Sequence, residues 1–278
     1  MPAIFDGEPP EGRKGRKGNP IRAERRAQAN YRRALIALNR QIKIATLNIA
    51  AQISAGVSPE IVTRNLEQAL DAAKLDYERA ADKIAKDFTG TISADNKAKI
   101  ERTLANALGV GVTFLDSKVV KERLAIALSD NVRLIKTIPE RHFSKVQQAV
   151  FDNYRGIEFA EGSLTRRLQK IGRISDQQAK FLARDQAAKF TTDLNAIRQE
   201  EAGIEGYIWR NQGDERVVGN PSGRYPKGNA AHMDHWQREG KVFKWSEPPP
   251  DGHPGQAIGC RCFAQPIINV EKAKKNAL

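Results

Sequence analysis

Residues 194–210 read Leu194-Asn195-Ala196-Ile197-Arg198-Gln199-Glu200-Glu201-Ala202-Gly203-Ile204-Glu205-Gly206-Tyr207-Ile208-Trp209-Arg210, and two kinds of structure meet inside them. Before Gly203, apolar side chains recur at steps of three or four. Ala179, Leu182, Ala183, Ala187, Phe190, Leu194 and Ile197 line one side of a helix expected to open at Ser175-Asp176. Beyond Gly203 the helical period is lost, and Tyr207-Ile208-Trp209-Arg210 has the aromatic and β-branched character of a short strand. The fold class is therefore α+β: a mostly helical N-terminal region followed by a small, loop-rich α+β C-terminal module.

Upstream, Ser58-Pro59-Glu60 is a helix start, because Ser caps free amides and Pro is tolerated in the first turn. Val62, Leu66, Ala69, Ala73, Tyr77, Ala80, Ile84 and Phe88 continue it to a break expected at Thr89-Gly90. Further helices are expected over Ala94 to Leu108, Ser117 to Ile138, Pro139 to Tyr154 and Leu164 to Ile171, with Pro139 marking a break. The chain then divides into an arm at 1–20, a helical domain at 21–160, connecting helices at 161–203, the module at 204–268 and a basic tail at 269–278.

The 278 residues are 40% hydrophobic, enough for a core, which excludes wholesale disorder. No stretch approaches the roughly 20 uninterrupted apolar residues of a membrane span. Only two cysteines are present, Cys260 and Cys262, so a disulfide scaffold is excluded. A disulfide between neighbours so close would be strained. Met1-Pro2-Ala3-Ile4-Phe5-Asp6 lacks a basic segment followed by an apolar one, and the reading is a soluble protein kept in a reducing cytoplasm.

The formal net charge is +13, and the first fifty residues carry eleven basic against four acidic side chains. Residues 6–20 combine Gly and Pro with Arg13, Lys14, Arg16 and Lys17, and read as a flexible basic arm. From Ile21 the pattern turns helical: Tyr31, Leu35, Leu38, Ile42, Ala45 and Ile49 form one stripe. Arg22, Arg25, Arg26, Arg32, Arg33, Arg40 and Lys43 cluster opposite. One reading is a solvated face. The other is a binding surface, since a cationic face displaces counterions from phosphate without reading sequence, and would equally suit an acidic protein.

All three tryptophans, both cysteines and three of the four histidines fall between Ile204 and Pro266. In order, the module contains Gly206-Tyr207-Ile208-Trp209-Arg210, Gly213-Asp214-Glu215-Arg216-Val217, His235, Gly240-Lys241-Val242-Phe243, Pro248-Pro249-Pro250-Asp251-Gly252-His253-Pro254-Gly255 and Cys260-Arg261-Cys262. This series resembles the C-terminal domain of the phage Mu F-like minor head proteins, the head morphogenesis family of tailed bacteriophages. Phe181-Leu182-Ala183-Arg184-Asp185-Gln186 and Asn195-Ala196-Ile197-Arg198 are similar to the helix leading into that domain, and the likeness covers roughly Leu164 to Pro266. The stretch Gly219 to Ala231, inserted before His235, departs from the family pattern.

The resemblance implies a minor capsid component in the virion, made in the host cytoplasm, associated with the portal protein, other head proteins and phage DNA. On that reading Arg13, Lys14, Arg16, Lys17, Arg22, Arg25, Arg26, Arg32, Arg33, Arg40 and Lys43 contact portal or DNA, and no catalytic residue or membrane span is expected.

Cys260, Cys262, His235 and either His253 or His232 supply enough ligands for a tetrahedral zinc site. Alternatively the thiols are small buried hydrophobes and the histidine donates a hydrogen bond to the nearby turn. No other cofactor is expected. His232-Met233-Asp234-His235 also invites a metal-dependent nuclease reading, with Asp234 and His235 as the reactive pair.

Overall fold

The computed structural model describes residues 16–268 except 19, 24, 109–110 and 228–233. Among them five helices precede most of a small sheet: α1 Arg25–Ser54, α2 Pro59–Leu108, α3 Lys118–Lys136, α4 Ile138–Tyr154 and α5 Leu164–Glu201. The strands are β1 Arg16–Lys17, β2 Gly206–Arg210, β3 Val242–Lys244 and β4 Phe263–Ile268, hydrogen-bonded in the order β1-β4-β2-β3 with every pair antiparallel. No helix among the described residues is long and apolar enough to cross a membrane.

The polypeptide forms two compact units, each drawn from separated stretches of sequence. One draws on Met1–Gln28, Thr89–Ile126 and Arg184–Leu278; the other on Ala29–Phe88 and Ala127–Ala183.

The regular elements of the second unit are all helices. Leu35, Ile42, Ile49, Val62, Leu66, Tyr77, Phe143, Val146 and Leu168 are buried in it, and Tyr31 stacks on Phe88 with ring centroids 4.2 Å apart. Inside this apolar packing lies a polar layer. Tyr77 donates to Asn39 (2.8 Å), whose amide donates to Asp176 (3.2 Å), and Lys43 pairs with the same carboxylate at 2.7 Å. His142, 2% exposed, touches Thr46 Oγ1 (2.8 Å) and Ser175 Oγ (2.9 Å).

Two expected helix breaks are absent. α2 runs through Thr89-Gly90, because one exposed helical glycine costs only about 1 kcal/mol, less than the packing on either side of it returns. α5 likewise runs through Ser175-Asp176. Ser175 is no N-cap there, since its hydroxyl lies 3.2 Å from the Ile171 carbonyl one turn back. Asp176 instead receives Lys43, whose stem lies so close to Gly172 that an added Cβ would sit 2.9 Å from it.

The first unit holds the sheet. Ile21, Ile100, Leu104, Ala202, Ile204 and Ile268 form one apolar cluster, and Tyr207, Trp209, Trp245, Cys260, Cys262 and Ala264 another. The flexible arm expected over residues 1–20 does not extend to Arg16 and Lys17, which pair as β1 with Ile268 and Ile267. The Gly18 amide then donates to the Pro266 carbonyl at 2.9 Å. Arg13 and Lys14 lie outside the described residues, as does the tail at 269–278.

The polar side of α5 ties this unit together. Arg198, 1% exposed, donates to the Ser93 carbonyl and hydroxyl (both 2.8 Å), to Asn96 (2.9 Å) and to Asp116 (2.9 Å). Asn195 bridges Asn96 and the Ile21 carbonyl, Gln199 accepts from the Trp245 indole, and Thr192 donates to the Pro254 carbonyl. A buried charge is tolerated only when paired and hydrogen-bonded, and this guanidinium is both.

Candidate metal centre

An extended chain places alternate residues on one face, so Cys-x-Cys running into β4 sends both sulfurs the same way and its middle residue the other. Both cysteines are buried, whereas Arg261 is half-exposed and is gripped by both oxygens of Asp214, its Nη1 lying 2.7 Å from Oδ2. Asp214 is itself fixed in a turn, accepting the Arg216 amide at 3.1 Å. The charged Gly213-Asp214-Glu215-Arg216 segment thus anchors the cysteine pair from behind.

His235, from the long β2–β3 connection, faces the sulfurs. Its Nδ1 is 3.5 Å from Cys260 Sγ and 3.6 Å from Cys262 Sγ, and the three ligand atoms all lie within 4.8 Å of one another. The other ring nitrogen, Nε2, is 2.9 Å from Asp251 Oδ2, and Asp251 Oδ1 accepts from Arg238 at 2.7 Å. Arg238 in turn lies over the Trp209 ring, 4.8 Å from its centroid. His235, Asp251 and both cysteines are all buried.

The electrostatics favour one thiolate. The Cys262 thiol first, and then His235, hold Cys260 well below the usual thiol range against the opposing cost of burial. Beside that thiolate, Cys262 is pushed up and keeps its proton. Burial works against a charged His235 ring, but Cys260 and Asp251 outweigh it and raise its proton affinity. Two further N–H groups belong to the site. The Gly255 amide lies 3.3 Å from Cys260 Sγ, and the Trp209 indole N–H is buried in the same cluster as the cysteines without a hydrogen-bond partner among the described residues. Gly255 has φ +101°, and a Cβ there would sit 2.6 Å from Thr192 Oγ1, so only glycine presents that amide.

His253, expected as a fourth ligand, is not in the cluster. Its Nδ1 is 2.9 Å from the Tyr207 hydroxyl and its ring meets Trp245 edge-on, so it belongs to the aromatic core. His232 lies outside the described residues. Asp234 and His235 do not converge: Asp234 accepts the Gln237 amide at 2.9 Å, whereas His235 is engaged by Asp251 and the sulfurs. The sequence did not single out Asp251, Arg238 or the Asp214–Arg261 grip. Asp251 sits in a Pro-rich turn, and nothing in that turn signals a contact sixteen residues back.

The basic residues divide. Arg22, Arg25 and Arg26 are exposed in the first unit, and Arg22 lies over the Phe263 ring at 4.0 Å. In the second unit Arg32, Arg33 and Arg40 are exposed on α1. Among the described residues no carboxylate pairs with them, and Arg33 donates only to Asn30. Lys43 departs from the expected stripe, because Asp176 neutralises it. Only the backbone of Arg16 and Lys17 is described.

Residues 144–265 match the family described as Phage Mu protein F like protein. The match ends beside the Pro266 limit read from the sequence and begins twenty residues earlier, within α4. An uncharacterized protein of Haemophilus influenzae is 28% identical over 286 residues, covering 95% of this chain, and the chain spans 58% of that relative's length. No solved structure matches.

Proposed function

Starting from a chain that is phage Mu F-like over residues 144–265, we propose that it is a minor head protein of a tailed bacteriophage, resident in the virion, that works by adhesion and carries out no reaction. It holds portal protein or packaged DNA through its exposed arginines, and the Mu F-like segment supports a position among other head proteins.

The observation that carries the adhesive part is the state of Arg32, Arg33 and Arg40. At 100° per residue, Arg33 and Arg40 fall opposite the buried Tyr31, Ile42 and Ile49, with Arg32 on the flank. Exposed guanidinium groups with no carboxylate paired to them among the described residues suit phosphate, which they bind bidentately. Lys43 is spent on Asp176 and takes no part.

Co-expression with the portal protein alone tests the reading. The chain should co-purify with portal rings or, failing that, be retained on duplex DNA at low salt. Loss of both partners in the wild-type chain would overturn it.

A further inference from the structure

We infer that His235, Cys260 and Cys262 form a structural zinc site that staples the C-terminal module. The inference does not depend on the adhesive role.

Zinc bonds of about 2.3 Å to sulfur and about 2.0–2.1 Å to nitrogen, at a tetrahedral angle, place S and N about 3.5–3.6 Å apart. The observed separations from His235 Nδ1 are 3.5 and 3.6 Å. A metal-free site accounts for this less well, because Nδ1 offers either one lone pair or one N–H and so engages one sulfur directly, yet both sulfurs stand almost equally close to it. One ion shared by all three atoms accounts for both distances.

The surroundings are those of a ligand set. A metal-bound histidine usually gives its other N–H to a carboxylate, which fixes the ring and raises its basicity. Nε2 does so to Asp251, which Arg238 holds in turn. Thiolate ligands need donors to spread their charge: the Gly255 amide supplies one to Cys260, and the Trp209 indole N–H is buried in the same cluster with no hydrogen-bond partner among the described residues.

Topology gives the site its purpose. His235 and the cysteine pair come from different connections of the module, and between β2 and β3 no regular element is present among the described residues. A bond from His235 to the β4 approach closes that long excursion onto the sheet. Two thiolates and one imidazole favour zinc over hard cations such as magnesium or calcium.

The test is elemental analysis of the full-length chain purified without chelator from zinc-supplemented cells, with cobalt(II) replacement in parallel. About one zinc per chain is expected, with cobalt giving thiolate charge-transfer absorption and the strong visible bands of a tetrahedral ion. Cys260→Ser and Cys262→Ser should each weaken that charge-transfer band, and His235→Ala should lower zinc affinity at least tenfold. If a variant fails to fold, the wild-type stoichiometry and cobalt spectrum still decide. Folded wild-type protein that carries no zinc and takes up no cobalt would overturn the inference, and so would cobalt bound without sulfur charge transfer.

Discussion

Asp251 stands directly behind His235, its Oδ2 2.9 Å from Nε2, on the side of the ring away from the two sulfurs. That carboxylate fixes which nitrogen faces the cysteines, so its effect should reach the metal without its touching one. Asp251→Asn keeps the volume but removes the charge. Zinc affinity should fall about 10–100-fold, read by competition with a chromophoric chelator, while stoichiometry at saturating zinc stays at one. Unchanged affinity would separate Asp251 from the centre.

Arg198 joins α5 to α2 and to Asp116 through four hydrogen bonds while almost wholly buried. Arg198→Met leaves those acceptors unpaired and should cost about 3–5 kcal/mol, seen as a lower urea midpoint. Arg198→Lys should recover little of this, because one ammonium cannot reach acceptors arranged for a planar fork.

His142 gives a pH dependence of predictable sign. Burial first, then Lys145 and Lys43, against a smaller opposing pull from Asp176, push its pKa down to about 4 from an ordinary 6.5. The unfolded ring therefore takes up a proton before the folded one does. Its contribution is whole above about pH 6.5 and is lost as the pH falls to about 4, at most about 3 kcal/mol. Urea denaturation at pH 7 and pH 4.5 should show a drop in stability that is smaller in His142→Gln. Equal drops would contradict it.

The outline of this fold is legible in the chain because it rests on periodicity. Tyr31, Leu35, Ile42 and Ile49 are buried as their spacing requires, and β2 and β3 lie where aromatic and β-branched residues cluster. What was hidden depends on partners distant in sequence. Asn39 and Thr46 occupy core positions on α1, with Leu38 and Ala45 only partly buried, because Tyr77, Asp176 and His142 meet them there. β4 is an inner strand despite Pro266, a residue that argues against such a place. Its carbonyl still accepts from Gly18, so the lost donor leaves the ladder usable. The grouping of Cys260 and Cys262 with His235 was legible as chemistry, but the contacts that fix it were not: the Asp214–Arg261 grip and the turn that brings Asp251 behind the ring.

The most direct measurement of the adhesive account is the salt dependence of duplex DNA binding by the wild-type chain and by Arg32→Glu/Arg33→Glu/Arg40→Glu. Three lost phosphate contacts should reduce the slope of log K against log salt by about 2–3 and weaken low-salt binding, with the urea midpoint unchanged because these side chains are exposed. An identical slope and affinity in the two proteins would contradict the claim that this face of α1 binds a polyanion.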